Sequence, residues 1–198
     1  MKIEEIKENY YYETLTAEHE LNDFDCGDDE LNNFLKEDAL KLQKSKLSLT
    51  KLIICDGEII GYISLLTDGI KIRKIKNEKI KLDIKEQLDI REKNKLLPAV
   101  KIGRLALDKE FLGKGLGTLI LRDILFNLKK FSETKIGFRF VIVEGYAKAV
   151  NFYIIKNGFE YLKKDDAKIK NIDFICERNP TKKFYLYFDL EKFEHYTS

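Results

Sequence analysis

Three glycines alternate with a lysine and a leucine in the run Gly113-Lys114-Gly115-Leu116-Gly117, a spacing suited to holding an anion. Lacking a Cβ, glycine enters backbone conformations closed to other residues, so several N–H groups can converge on one negative group. An apolar run at 102–107 leads into the cluster, and an amphipathic run at 116–128 leaves it. Strand, glycine loop and helix start, in that order, bring the positive end of a helix beside the loop. The chemistry predicted is phosphate binding by backbone.

Other elements must hold this loop in place. Residues 1–15, with Tyr10-Tyr11-Tyr12, read as an opening strand. Asp28 or Asp29 caps a helix running to about 44, with Leu31, Phe34, Leu35 and Leu42 on one face. A strand at 49–55, the two-residue turn Asp56-Gly57 and a returning strand at 58–66 form a hairpin. Gly61 marks a bulge or a close backbone approach within it. Residues 70–96 are rich in lysine and glutamate, and Leu82, Ile84, Leu88 and Ile90 give an imperfect pattern, read as a short surface helix or an excursion. After Pro98 come a central strand at 99–107, the glycine loop and a helix to about 131. A strand follows at 138–144, then a short helix at 147–157 closed by Asn157-Gly158, and a strand begins at 159–162. A polar stretch at 163–181, punctuated by Pro180, precedes a period-two strand at 183–190. The order describes one α/β domain over 1–198, a mixed sheet flanked by helices.

Composition narrows the class. A chain of 198 residues can bury a sizeable core. Its formal net charge of +2 is too small to argue for nucleic-acid binding by itself. Cys26, Cys55 and Cys176 are odd in number, widely spaced and without a CxxC pair, so neither a disulfide framework nor a zinc site is expected. His19 and His195 show no ligand spacing, and no metal is expected. Cys26 has no basic neighbour and reads as structural. No signal peptide or membrane-length apolar run is read, so the expected home is the cytoplasm, away from membranes.

Three kinds of phosphate loop compete. A P-loop needs Ser or Thr after its lysine, and Gly115 stands there. A dinucleotide fingerprint needs GxGxxG near the start of a βαβ unit, whereas this loop reads GxGxG, is followed by Thr118, and comes after a helix and a hairpin. The third kind binds acyl-CoA. Leu105-Ala106-Leu107-Asp108, a short gap and then Gly113 to Leu121 resemble the central motif of the GNAT family of N-acetyltransferases. Asn151-Phe152-Tyr153 followed by Asn157-Gly158-Phe159 is similar to that family's next landmark. The resemblance covers about 10–163, leaving 164–198 as a C-terminal strand extension. Phe24-Asp25-Cys26-Gly27 with Leu31-Asn32, Phe34-Leu35 and Ala39, and Gly103-Arg104 before Leu105, resemble one branch in particular. That branch includes toxins of toxin–antitoxin pairs that acetylate aminoacyl-tRNA.

The resemblance implies a GNAT fold with splayed central strands and direct transfer of an acetyl group from acetyl-CoA to a primary amine. It keeps a charged tRNA acceptor with an antitoxin partner as the alternative, a non-catalytic CoA-binding module as the second, and a homodimer open. It assigns CoA contacts to Leu105, Ala106, Leu107, Leu112, Gly113, Lys114, Gly115, Leu116, Gly117, Thr118, Asn151 and Tyr153. Leu112 stands where the family usually has Gln or Arg, so the backbone must do most of the holding. Tyr153 matches the family's general acid; the other reading is a ring packed against pantetheine. Glu144, at a strand end, is the candidate base or an ordinary surface carboxylate. Asn151 touches the cofactor or caps its helix, Arg104 forms a salt bridge or meets RNA, and Lys114 touches phosphate or is simply exposed.

Overall fold

A computed structural model of the chain describes residues 3–75, 77–88, 95–162, 166, 169 and 171–193. Ile90, His195 and parts of 163–170 and of the C-terminal extension lie outside these. The strands are β1 (Tyr11–Thr14), β2 (Leu49–Cys55), β3 (Glu58–Lys71), β4 (Leu96–Leu107), β5 (Phe140–Tyr146), β6 (Glu160–Tyr161) and β7 (Lys183–Asp189). Helices are α1 (Ile3–Asn9), α2 (Asp29–Asn33), α3 (Ala39–Lys44), α4 (Glu78–Leu88), α5 (Leu116–Thr134) and α6 (Ile172–Arg178). The seven strands lie in one sheet in the order β1-β2-β3-β4-β5-β7-β6. The pairs β1–β2, β2–β3, β5–β7 and β6–β7 are antiparallel. The chain divides into two compact units, Met1–Leu66 with Ile102–Leu121, and Thr67–Lys101 with Arg122–Ser198.

In the first unit, Asp28 caps α2: its carboxylate accepts from the N–H groups of Glu30 and Leu31, worth about 1 kcal/mol. Between α2 and α3 the helix widens into a π turn, Phe34–Asp38, a detail no sequence pattern announced. Leu35 and Ala39 bury into a core with Leu15, Phe24, Leu52, Ile54, Tyr62 and Ala106. The Tyr62 hydroxyl is satisfied there by donating to the Leu31 carbonyl at 2.8 Å. Asp56 and Gly57 both have positive φ, 50° and 80°, the twist that suits a two-residue hairpin.

Gly61 meets both readings offered for it. Ile53 pairs with Gly61 but Ile54 pairs with Ile59, so Ile60 is an extra, bulged residue. A Cβ on Gly61 would lie 2.7 Å from the Ala106 carbonyl oxygen and 2.6 Å from Leu107 Cδ2. A leucine tip can rotate away, but a backbone carbonyl in a sheet cannot. Gly61→Ala is therefore expected to lower unfolding free energy by about 1–3 kcal/mol. Urea unfolding checks this, and a loss below half the lower figure would mean that the strands shift freely.

The second unit has its own core of Ile70, Ile72, Ile75, Ile80, Ile84, Leu97, Ala99, Phe140, Ile142, Leu162 and Tyr187. One of its features corrects the sequence reading. The strand from Glu58 continues to Lys71 instead of ending at 66. The polar Thr67-Asp68-Gly69 imitates a turn, yet the Leu96 side chain fills the space beside Gly69, within 2.6–2.8 Å of a built Cβ. Of the two readings offered for 70–96, the helix is present as α4, Glu78–Leu88, with Ile80 and Ile84 buried. Leu82, 57% exposed, is what blurred its periodicity. Arg139 donates to Asp189 from Nε and Nη2, both at 2.9 Å, and meets Asp83 of α4 at 2.8 Å.

Two helices escaped the sequence reading altogether. Residues 3–9 form α1 rather than strand, and only Ile6 on it is buried. Residues 172–178 form α6, and no residue on it is buried. Neither helix has an apolar stripe to read. The available signals were capping and charge: Asn171 accepts from the Phe174 N–H at 3.0 Å, Asp173 opens α6 and Arg178 closes it.

Candidate functional site

The glycine loop belongs to the first unit. β4 ends at Leu107, a single 3-10 turn spans Lys109–Phe111, and α5 begins at Leu116. Gly113 and Gly115 have φ of 75° and 82°, and a Cβ on either would meet nothing within 4 Å. Backbone conformation, not crowding, therefore demands glycine at these two positions. Gly117 and Thr118 lie in the first turn of the 19-residue α5, where N–H groups have no partner inside the helix and the dipole is positive. Leu112 is 53% exposed and Lys114 is exposed, its Nζ 5.9 Å from the Phe111 ring centre. Ala106 and Leu107 bury their side chains, so only their backbone groups could serve a ligand. Leu105 is half-buried.

Nearby in the same unit, Arg104 pairs with Glu30 at 3.2 Å and lies 5.0 Å over the Phe34 ring, the structural role among its two readings. Cys26 is buried, its Sγ 3.6 Å from the Asp28 carbonyl it donates to, and burial pushes its thiol above the usual range. A thiol so placed is packing, not a nucleophile.

Tyr153, Asn151 and Glu144 belong to the second unit. Tyr153 lies on a π turn, Phe152–Lys156, a distortion that recurs at functional sites. Its ring packs edge-on against Phe152 at 5.0 Å and Phe159 at 5.3 Å. Only 6% of the residue is exposed. Burial alone pushes the phenol well above its ordinary value, and among the described residues nothing hydrogen-bonds its hydroxyl. The Asn157 side chain donates to the Phe152 carbonyl at 2.7 Å, and Gly158, φ 71°, closes the turn. Asn151 precedes the turn and makes no side-chain capping bond, which removes the capping reading.

Two residues near this group were missed. A Cβ on Gly145 would stand 3.4 Å from Tyr153 Cε2, an ordinary van der Waals contact, so this residue of β5 packs beside the tyrosine ring. An isolated glycine inside an apolar strand run was the available signal. Lys101 on β4 is the other: its Nζ is 3.1 Å from Glu144 Oε2, each side chain being 23% exposed. Burial would raise the Glu144 carboxyl, but Lys101, the Tyr185 hydroxyl and Lys183 together outweigh it and hold it below the usual range. Glu144 is thus an ion-paired carboxylate rather than a lone surface group. Nothing in the sequence announces the pair, because 43 residues separate its members.

Among the described residues, no helix is long and apolar enough to cross a membrane, and no group of three or more His, Cys, Asp or Glu could hold a metal ion.

No protein-family model matches the chain. Solved structures do. AtaT complexed with acetyl-methionyl-tRNAfMet aligns at TM-score 0.70 and 20% identity, over 92% of this chain and 96% of that one. KacT carrying a tyrosine-to-phenylalanine substitution aligns at 0.70 and 18%, over 92% and 96%. AtaTR bound with AcCoA aligns at 0.65 and 23%, over 93% and 95%. What this likeness establishes is architecture, and the strand order and the loop between β4 and α5 agree with it: the chain has the GNAT fold.

Proposed function

We propose that this chain is an acetyl-CoA-dependent N-acetyltransferase whose acceptor is the amino group of an aminoacyl-tRNA. The observation that supports this most is the match to AtaT, nearly end to end in both chains, in a complex with acetyl-methionyl-tRNAfMet. It favours the charged-tRNA acceptor over an unspecified small amine.

The residues present fit the pyrophosphate of CoA: two left-handed glycines with open space around them turn the chain onto the start of α5. When bound, acetyl-CoA supplies an acetyl group whose C–S bond breaks as a C–N bond to the amine forms. The backbone from Gly113 to Gly117 binds the diphosphate through N–H donors and the helix dipole. Backbone donors at Leu105 to Leu107 polarise the thioester carbonyl, an effect of about 3 kcal/mol for one donor. Leu112, Lys114 and Thr118 flank the cofactor, Leu116 serves only through the loop's backbone because its side chain is buried, and Asn151 supplies a side-chain contact. Tyr153 gives its hydroxyl proton to the departing sulfur and is reprotonated by the second proton that the newly acylated nitrogen sheds. Glu144 takes a proton from the incoming ammonium, directly or through water, and must release Lys101 to do so. The non-catalytic reading fits less well, because a tyrosine hydroxyl with no partner among the described residues has no structural duty to them that requires it.

Structures of AtaT with the C-terminus of AtaR, and of the AtaT–AtaR complex bound to DNA, support a protein antitoxin for this chain as well. A charged-tRNA acceptor supports the cytoplasmic location expected from the sequence. The test is to incubate the purified chain with acetyl-labelled CoA, a panel of charged tRNAs and simple amines. Label on aminoacyl-tRNA is expected. Label only on small amines or peptides overturns the acceptor but leaves the acetyltransferase; no thiol release with any acceptor overturns both.

A further inference from the structure

The segment Phe24-Asp25-Cys26-Gly27 has no task in the mechanism above, yet it is bonded to the stem of the phosphate loop. The Asp25 N–H donates to Asp108 Oδ2 at 3.0 Å, and the Lys109 N–H donates back to the Asp25 carbonyl at 2.8 Å. The Asp25 carboxylate accepts from the Gly27 N–H and the Asn32 side chain, both at 2.8 Å, and from Lys109 Nζ at 2.7 Å. The Asn32 side-chain oxygen accepts from the Cys26 N–H at 3.0 Å. From the other direction, the Asp108 N–H donates to the carbonyl of the bulged Ile60 at 3.0 Å. Asp108 therefore joins three pieces of chain: the bulge of β3, the Asp25 turn and the end of β4.

What it holds is short. Asp108 Oδ1 accepts from the Glu110 N–H at 3.0 Å and its carbonyl from the Phe111 N–H at 3.0 Å, which sets the single turn Lys109–Phe111. The Leu112 N–H then bonds the Lys109 carbonyl at 3.3 Å, and Gly113 follows. No slack is available between the clasp and the first glycine. The Lys109–Asp25 ion pair is exposed, with side chains 58% and 43% accessible, so it contributes little by itself. The half-buried bond from the Asp25 N–H to Asp108 and the two backbone bonds, Lys109 to Asp25 and Asp108 to Ile60, decide the position.

We propose that Asp108 is a positioning residue for CoA: clasped by Asp25 and Ile60, it sets the angle at which the glycine loop meets the pyrophosphate. This rests on the reading of that loop as a CoA site. A preorganised cradle binds without first having to be ordered, so loosening its stem weakens the cofactor and leaves chemistry at saturation alone.

Asp108→Asn is the sharpest test, because it keeps the shape but turns an NH2 toward one of two N–H donors. Its KM for acetyl-CoA and its Kd for CoA by calorimetry are expected to rise about tenfold, with kcat at saturation within about twofold of wild type. Asn32→Ala loosens the far end of the clasp and remains readable if the first variant folds poorly; a rise of about threefold is expected. Unchanged KM and Kd in the folded variants, whatever happens to the melting temperature, overturn the inference alone. A wild-type chain that binds no CoA overturns the functional reading of the loop and this inference with it.

Discussion

Tyr153→Phe is expected to lower kcat for acetyl transfer by roughly 10²- to 10⁴-fold, the usual contribution of a positioned acid, while the protein folds as before. The hydroxyl has no partner among the described residues, so removing it breaks no bond to any of them. The ring contacts are unaffected: Phe152 at 5.0 Å and Phe159 at 5.3 Å. Burial disfavours the phenolate, so the acid stays protonated well past its ordinary value of 10.0. The neutral, proton-donating form is therefore present throughout the working range. Loss of rate at moderately alkaline pH cannot come from this group; loss at acid pH would report protonation of the acceptor amine or of Glu144. Single-turnover release of the CoA thiol, calorimetry with CoA and a thermal melt measure the three quantities separately. Full turnover in the variant would end the acid assignment. A lowered melting temperature would give the hydroxyl a structural role.

Gly115→Val should abolish most CoA binding without harming the core. A Cβ at this position meets nothing within 4 Å, so the valine is not excluded by contact. The penalty lies in φ of 82°, where a β-branched residue is a true outlier. Holding such a residue in a left-handed conformation costs about 1–3 kcal/mol. The loop escapes that cost by adopting another conformation and losing the convergence of its N–H groups. CoA affinity should fall by roughly 5- to 100-fold, since each 1.4 kcal/mol is a factor of ten. Leu112 sharpens the expectation, because it offers no hydrogen-bond donor to compensate. Calorimetry with CoA, alongside circular dichroism to verify folding, decides the matter. Wild-type affinity in a folded variant would mean that side chains, not backbone, carry the phosphate.

How legible a feature was in sequence followed how far its cause lay along the chain. The hairpin at Asp56-Gly57 needs two consecutive residues that accept positive φ. The start of α2 needs a carboxylate within three residues of the N–H groups it caps. β2 and β7 alternate or bury their own side chains along a few residues, and their ends fell within one residue of expectation. α1 and α6 were missed because they bury one residue and none, which leaves no periodic signal. The continuation of β3 through Thr67-Asp68-Gly69 was missed because the leucine that completes it, Leu96, is 27 positions away from Gly69 by their numbers.

By itself, the sequence determined that residues 113–117 form a backbone-built turn at the head of a helix. The physical reason is local: only glycine tolerates φ of 75° and 82°, and the amphipathic run after it must be helical. The tertiary structure decided everything that depends on partners brought from afar. It gave Glu144 a lysine and with it a depressed carboxyl, buried the Tyr153 phenol without a hydrogen-bond partner among the described residues, and tied Asp108 to Asp25 across 83 residues. Protonation, burial and hydrogen bonding are properties of neighbours in space, and no spacing within a motif can specify them.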